Sequence, residues 1–75
     1  MRIVAKRIKN RWYAQFDDGS TESGTGNDAG SAMRELLKKT PGRNIRLDDF
    51  KPELDKSGAD LLVMVHEEPN RVNGD

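Results

Sequence analysis

Between residues 17 and 31 the hydrophobic period of this chain changes from two residues to about 3.6, which fixes a strand before the change and a helix after it. Upstream, "WYAQFD" alternates and sets Trp12, Ala14 and Phe16 on one face. Downstream, Ala29, Ala32, Met33, Leu36 and Leu37 share one helical face, while Arg34, Glu35, Lys38 and Lys39 fall off it. The switch runs through "GSTESGTGNDAG", which holds four glycines in twelve positions. Glycines between a strand and a helix are where phosphate-binding loops occur, so this segment needs a chemical reading as well as a structural one.

Two phosphate motifs nearly fit. Gly19 and Gly24 have P-loop spacing, but Thr25 stands where a lysine must meet the phosphates. Residues 24–29 read G-x-G-x-x-A and lead into a helix N-terminus, which attracts anions. Asp28 and Glu22, however, put negative charge where a pyrophosphate would sit, and a dinucleotide site requires a parallel frame. The structural reading is preferred: Gly19 makes a turn, Gly24 relaxes an edge strand, and Gly26 admits the chain to the helix. No cofactor is expected.

The remaining elements follow from local chemistry. Residues 2–9 alternate imperfectly and suggest a first strand. A two-residue loop at Asn10 and Arg11 pairs Ile8 with Tyr13. A three-residue loop at residues 9–11 instead pairs Val4 with Phe16 and Ile8 with Trp12, and burial favours it. Asp18-Gly19 then reads as a type I′ hairpin turn leading to a short polar edge strand, "STESGT", with Thr21 opposite Phe16. The helix is expected over residues 27–40, capped by Asn27 or Asp28 and stopped by "TPG". Ile45 and Leu47 suggest a short strand. "DDFKPELDKSG" suggests a helical turn with Phe50 and Leu54 inward, and "LLVMV" a strand buried on both faces. Residues 68–75 read as a flexible tail to a single domain over residues 1–67.

The predicted fold is thus α+β: a small, mostly antiparallel sheet in the order β-β-β-α-(β or short helix)-β, packed on one amphipathic helix. The predicted core is Ile3, Val4, Ile8, Trp12, Ala14, Phe16, Met33, Leu36, Leu37, Phe50, Leu54, Leu62 and Met64. With 75 residues, 33% of them hydrophobic, and no cysteine to staple them, this core is lean. Leu61, Val63 and Val65 fall on the second face of the last strand, which one helix cannot cover. That surplus predicts a dimer or partner interface.

Function classes narrow accordingly. His66 is the single histidine, and without cysteine it cannot complete a zinc set, so no metal is expected. Asp17-Asp18 and Asp48-Asp49 suit turns and caps better than Mg²⁺, and the serines lack an evident base. The chain is not expected to be an enzyme. The longest apolar run has five residues and no signal-peptide pattern is present, so a soluble, cytoplasmic protein with no membrane role is expected.

Charge is zero overall but blocked: residues 1–11 carry +5, 12–33 carry −4, 34–47 carry +4 and 48–75 carry −5. The stretch "KRIKNRWY" places cations beside two aromatics, a pattern suited to phosphates and bases. Lys6, Lys9, Arg11, Lys38, Lys39 and Arg43 are therefore candidate contacts to RNA or single-stranded DNA. This is the alternative to a protein-interaction module that pairs with itself or another protein.

Over residues 11–37, "RWYAQFDDGSTESGTGNDAGSAMRELL" resembles the small HicB-like antitoxin domain. An aromatic second strand leads through a turn to a short third strand, and a Gly and an Asn/Asp cap open a helix with alanine and leucine inward. The resemblance implies three antiparallel strands, a helix and a further strand, in a non-catalytic domain that pairs with itself or a partner. "DDGS" replaces the family's proline-rich turn, and no DNA-binding element follows "LLVMV".

Overall fold

The computed structural model describes residues 1–66; the predicted tail at 68–75 lies outside the described residues. Five strands form one antiparallel sheet in the order β3-β2-β1-β5-β4: β1 Arg2–Ile8, β2 Arg11–Phe16, β3 Ser23–Gly26, β4 Lys51–Pro52 and β5 Leu61–Val65. One helix, α1 (Ala29–Lys39), lies on one face. The α+β architecture is the predicted one.

The β1–β2 register corrects the expectation. Lys9 and Asn10 both take positive φ, 53° and 66°, and form the two-residue loop between Ile8 and Arg11. A turn with both central residues left-handed matches the twist of the strands it joins. Ile3, not Val4, therefore faces Phe16, and Arg7, not Ile8, faces Trp12. This one-residue slip turns Ile3 and Ala5 towards the helix and leaves Ile8 53% exposed on the other side.

The slip has a packing reason. Leu62, Ala5, Ala14 and Gly24 stand side by side across four strands. Three of the four are small, so they make a shallow trough in which α1 lies through Ala32 and Leu36. A Cβ on Gly24 would collide with Ala32 O and with the Leu36 backbone, and one on Gly26 would meet Ser31 and Ala32. Gly24 thus serves close approach of the helix rather than relaxing an edge. Ile3, Ala5, Ala14, Phe16, Ala32, Met33, Leu36 and Phe50 form the buried core, with Trp12, Leu37, Ile45, Leu47, Leu62 and Met64 packed around it.

The helix begins at the Asp28 cap, whose Oδ1 accepts the Ser31 N–H at 2.7 Å. Upstream, the predicted Asp18-Gly19 hairpin is replaced by a longer connection over residues 17–22. There Asp18 Oδ1 accepts the Ser20 N–H at 3.0 Å, Gly19 takes φ 85°, and Thr21 lies outside the strand.

Downstream, the predicted strand at Ile45 and Leu47 and the predicted helical turn are both replaced. Two short 3-10 turns, Leu47–Asp49 and Leu54–Lys56, flank β4. Pro52 holds Lys51 extended and needs no donor at a sheet edge. Phe50 consequently turns inward, while Leu54 is 78% exposed instead of joining the core. β5 inserts between β4 and β1, and the Met1 carbonyl accepts the His66 N–H at 2.8 Å beyond the last pair.

Candidate interaction surface

Strand alternation decides what the uncovered face of the sheet displays. With Ile3, Ala5, Ala14, Phe16, Leu62 and Met64 committed to the helix side, Val4, Lys6, Ile8, Tyr13, Gln15, Leu61, Val63 and Val65 point the other way. Val4 stands between Gln15 and Val63, and Lys6 between Tyr13 and Leu61. Tyr13 is 39% exposed, and with Ile8 it forms the large hydrophobic part of this face that meets solvent. A hollow of about 420 Å³ opens here, lined by Val4, Lys6, Ile8, Tyr13, Gln15, Phe16 and Asp17.

The charges around that face are of both signs. Arg2 Nε donates to Glu53 Oε1 at 2.7 Å. That bond and the accompanying charge attraction hold the Glu53 carboxyl below its ordinary range and push the Arg2 guanidinium up. Lys6 and Asp17, one cation and one anion lining the same hollow, make no ion pair among the described residues.

Other acids are committed elsewhere. Asp18 Oδ2 meets Arg43 Nη2 at 2.9 Å, and the Arg43 guanidinium lies 4.0 Å over the Phe16 ring. Hydrogen bonds from Ser20, reinforced by Arg43, hold Asp18 below the ordinary carboxylate range. The Ser31 N–H does the same to Asp28. Asp60 pairs with Arg7. Among the described residues, no three of His, Asp and Glu converge on a metal-sized site. The His66 ring packs 5.4 Å from Phe50, and its Nδ1 is buried with no partner among the described residues. No helix among the described residues is long and apolar enough to cross a membrane.

Asp18, Asp28 and Glu53 give the fold a defined acid response. Each folded-state pKa is depressed, so each contribution is fully present above the unfolded value near 4 and is lost as pH falls through the folded value. The melting temperature is expected to fall progressively below about pH 4.5. Circular-dichroism melts at neutral and acid pH check this, and a flat profile down to about pH 2 would contradict the assigned bonds.

The six candidate nucleic-acid contacts fall at two ends of the molecule. Lys9 and Arg11 sit at the β1–β2 turn with Lys6 on the open face beside it, and Arg11 Nη2 donates to Thr25 Oγ1 at 3.2 Å. Lys39 Nζ donates to Ser23 O at 2.9 Å, and Arg43 Nη2 donates to Ser20 Oγ at 2.5 Å. Both therefore lie at the β2–β3 connection, at the far end of β2 from the turn, with exposed Lys38 beside Lys39 on the helix. Trp12 packs against the core, whereas Tyr13 is displayed on the open face.

No protein-family model matches the chain, and no curated protein or solved structure matches it either. The register shift explains why Ile8, expected in the core, is instead a surface residue. The expected surplus at Leu61, Val63 and Val65 is largely covered: Val63 is buried and Leu61 and Val65 are half-buried, because residues 53–57 pack against β5.

Proposed function

We propose that the chain is a non-catalytic protein-interaction module that self-associates through the open face of its sheet. The observation that carries this reading is the exposure of Ile8 and Tyr13 beside Val4, on the side where α1 gives no cover. Burial of such a face drives association in proportion to the apolar area removed from water. Lys6 and Asp17, opposite charges on the same hollow, allow a two-fold pairing in which each meets its opposite on the other copy.

Sedimentation velocity between about 5 and 500 μM tests the reading. The wild-type chain is expected to shift from monomer to dimer. An Ile8→Glu/Tyr13→Glu double variant is expected to remain monomeric at concentrations at least about tenfold higher. A wild-type chain that stays monomeric throughout overturns the homodimer.

The narrower, antitoxin-like form of the reading rests on the resemblance over residues 11–37. It requires a different protein on the same face, retained from native lysate by the tagged wild-type chain and lost with the double variant. Recovery of the chain alone counts against that form.

A further inference from the structure

A second hollow, of about 410 Å³, lies on the helix side of the molecule. It is lined by Arg34, Leu37 and Lys38 of α1 and by Ile45, Arg46, Leu47 and Asp48 beyond it. Leu37, Ile45 and Leu47 are only partly buried: one side of each packs on the core, and together they supply an aliphatic floor. Arg34, Lys38 and Arg46 are exposed and outnumber the single acid, Asp48.

Arg34 and Arg46 differ from the other arginines among the described residues. Arg2, Arg7 and Arg43 each hold an ion pair, and Arg11 holds a hydroxyl. Arg34, Lys38 and Arg46 hold neither among the described residues. Arg34 attracts the Asp28 carboxylate, but Asp28 Oδ1 is committed to the helix cap. Arg34 and Lys38 also stand four residues apart on one helix, a spacing at which like charges repel. An anion bound between them relieves that repulsion.

We propose that this groove docks an acidic segment of a partner protein, anchored by one or two large apolar side chains. Charge selects the sign of the partner, and the floor selects its class. An aliphatic floor without an aromatic ring offers no stacking platform for nucleobases, whereas leucine or phenylalanine side chains fit it directly. This site is independent of the open sheet face, so its partner and the self-association described above are separable.

The test uses a fluorescein-labelled peptide of about twelve residues, aspartate and glutamate throughout except for leucine and phenylalanine four positions apart. Saturable binding with a Kd of roughly 10–100 μM is expected at about 50 mM salt, weakening about tenfold by ~300 mM. Methyl resonances of Leu37, Ile45 and Leu47 are expected to shift during the titration. An Arg34→Glu/Arg46→Glu variant is expected to bind at least about tenfold more weakly, while Ile8→Glu leaves binding unchanged. Four results overturn the proposal: no saturation by about 1 mM peptide, equal binding of a peptide with lysine in place of its acids, unaltered affinity in the double variant, or a single-stranded RNA of similar length moving the same methyls at lower concentration. Methyl shifts caused by dilution of the protein alone also overturn it, in favour of a second copy.

Discussion

Replacing Gly24 with alanine is expected to cost about 3 kcal/mol and to lower the melting temperature by roughly 15 °C. The added Cβ would meet the Ala32 carbonyl and the Leu36 amide and Cα, all helix backbone. A flexible side chain could swing aside, but hydrogen-bonded helix backbone cannot, so α1 must lift from the trough formed with Ala5 and Ala14. Lifting it opens the contact made by Ala32 and Leu36, both fully buried. Gly42 provides the control, because nothing lies within 4 Å of its added Cβ and its φ is not positive. Gly42→Ala is expected to change stability by less than about 0.5 kcal/mol. Circular-dichroism melts decide the matter, and a Gly24→Ala variant melting within a few degrees of wild type would mean the helix is not seated as described.

Truncating Phe16 has an effect of similar size by a different route. Its ring is buried between the sheet and α1, under the Arg43 guanidinium that Asp18 and Ser20 hold in place. Phe16→Ala removes the packing and leaves a cavity, an expected loss of about 3–5 kcal/mol. A chain of this length has roughly 4–11 kcal/mol in total, so this one substitution removes from about a quarter of that stability to all of it. Phe16→Leu keeps most of the burial and loses the aromatic face, and is expected to cost about 1–2 kcal/mol. Urea titration separates the two substitutions. A loss below about 1 kcal/mol for alanine would remove Phe16 from the core.

These two residues also mark the limits of what was legible beforehand. Phe16 was readable because β2 alternates cleanly, and α1 because five apolar residues recur on one helical face. The β1 register was not. Judged by size alone, Val4 and Ile8 have the stronger claim to burial than Ile3 and Ala5. The deciding factor is that Ala5, Ala14 and Gly24 must align across three strands so that a helix can come close, and no local pattern expresses an alignment between distant segments. Residues 44–58 misled for a related reason. Leu54 has helical spacing from Phe50, but Pro52 sits on a sheet edge that only β5 creates.

The candidate surfaces were legible to the same degree. Apolar excess in "LLVMV" announced a second face to the sheet, of which Val63 is buried, whereas which residues of β1 complete that face depended on the register. In the helix-side groove, Lys38 had been singled out for its charge. Arg34 had not, although a basic pair four apart beside Leu37 was the available signal.

The position of β1 between β2 and β5 bears on how the chain reaches its native state. Of the five strands, the earliest in sequence is central, and its second neighbour is the latest. Until residue 65 has been made, the hairpin and helix can assemble, but β1 offers a bare row of amides and carbonyls to any passing strand. Closing that row joins segments 55 to 63 positions apart, from Lys6 with Leu61 to Arg2 with Val65. The loop entropy of that step, rather than helix formation, is the topological cost that slow folding of this sheet is expected to reflect.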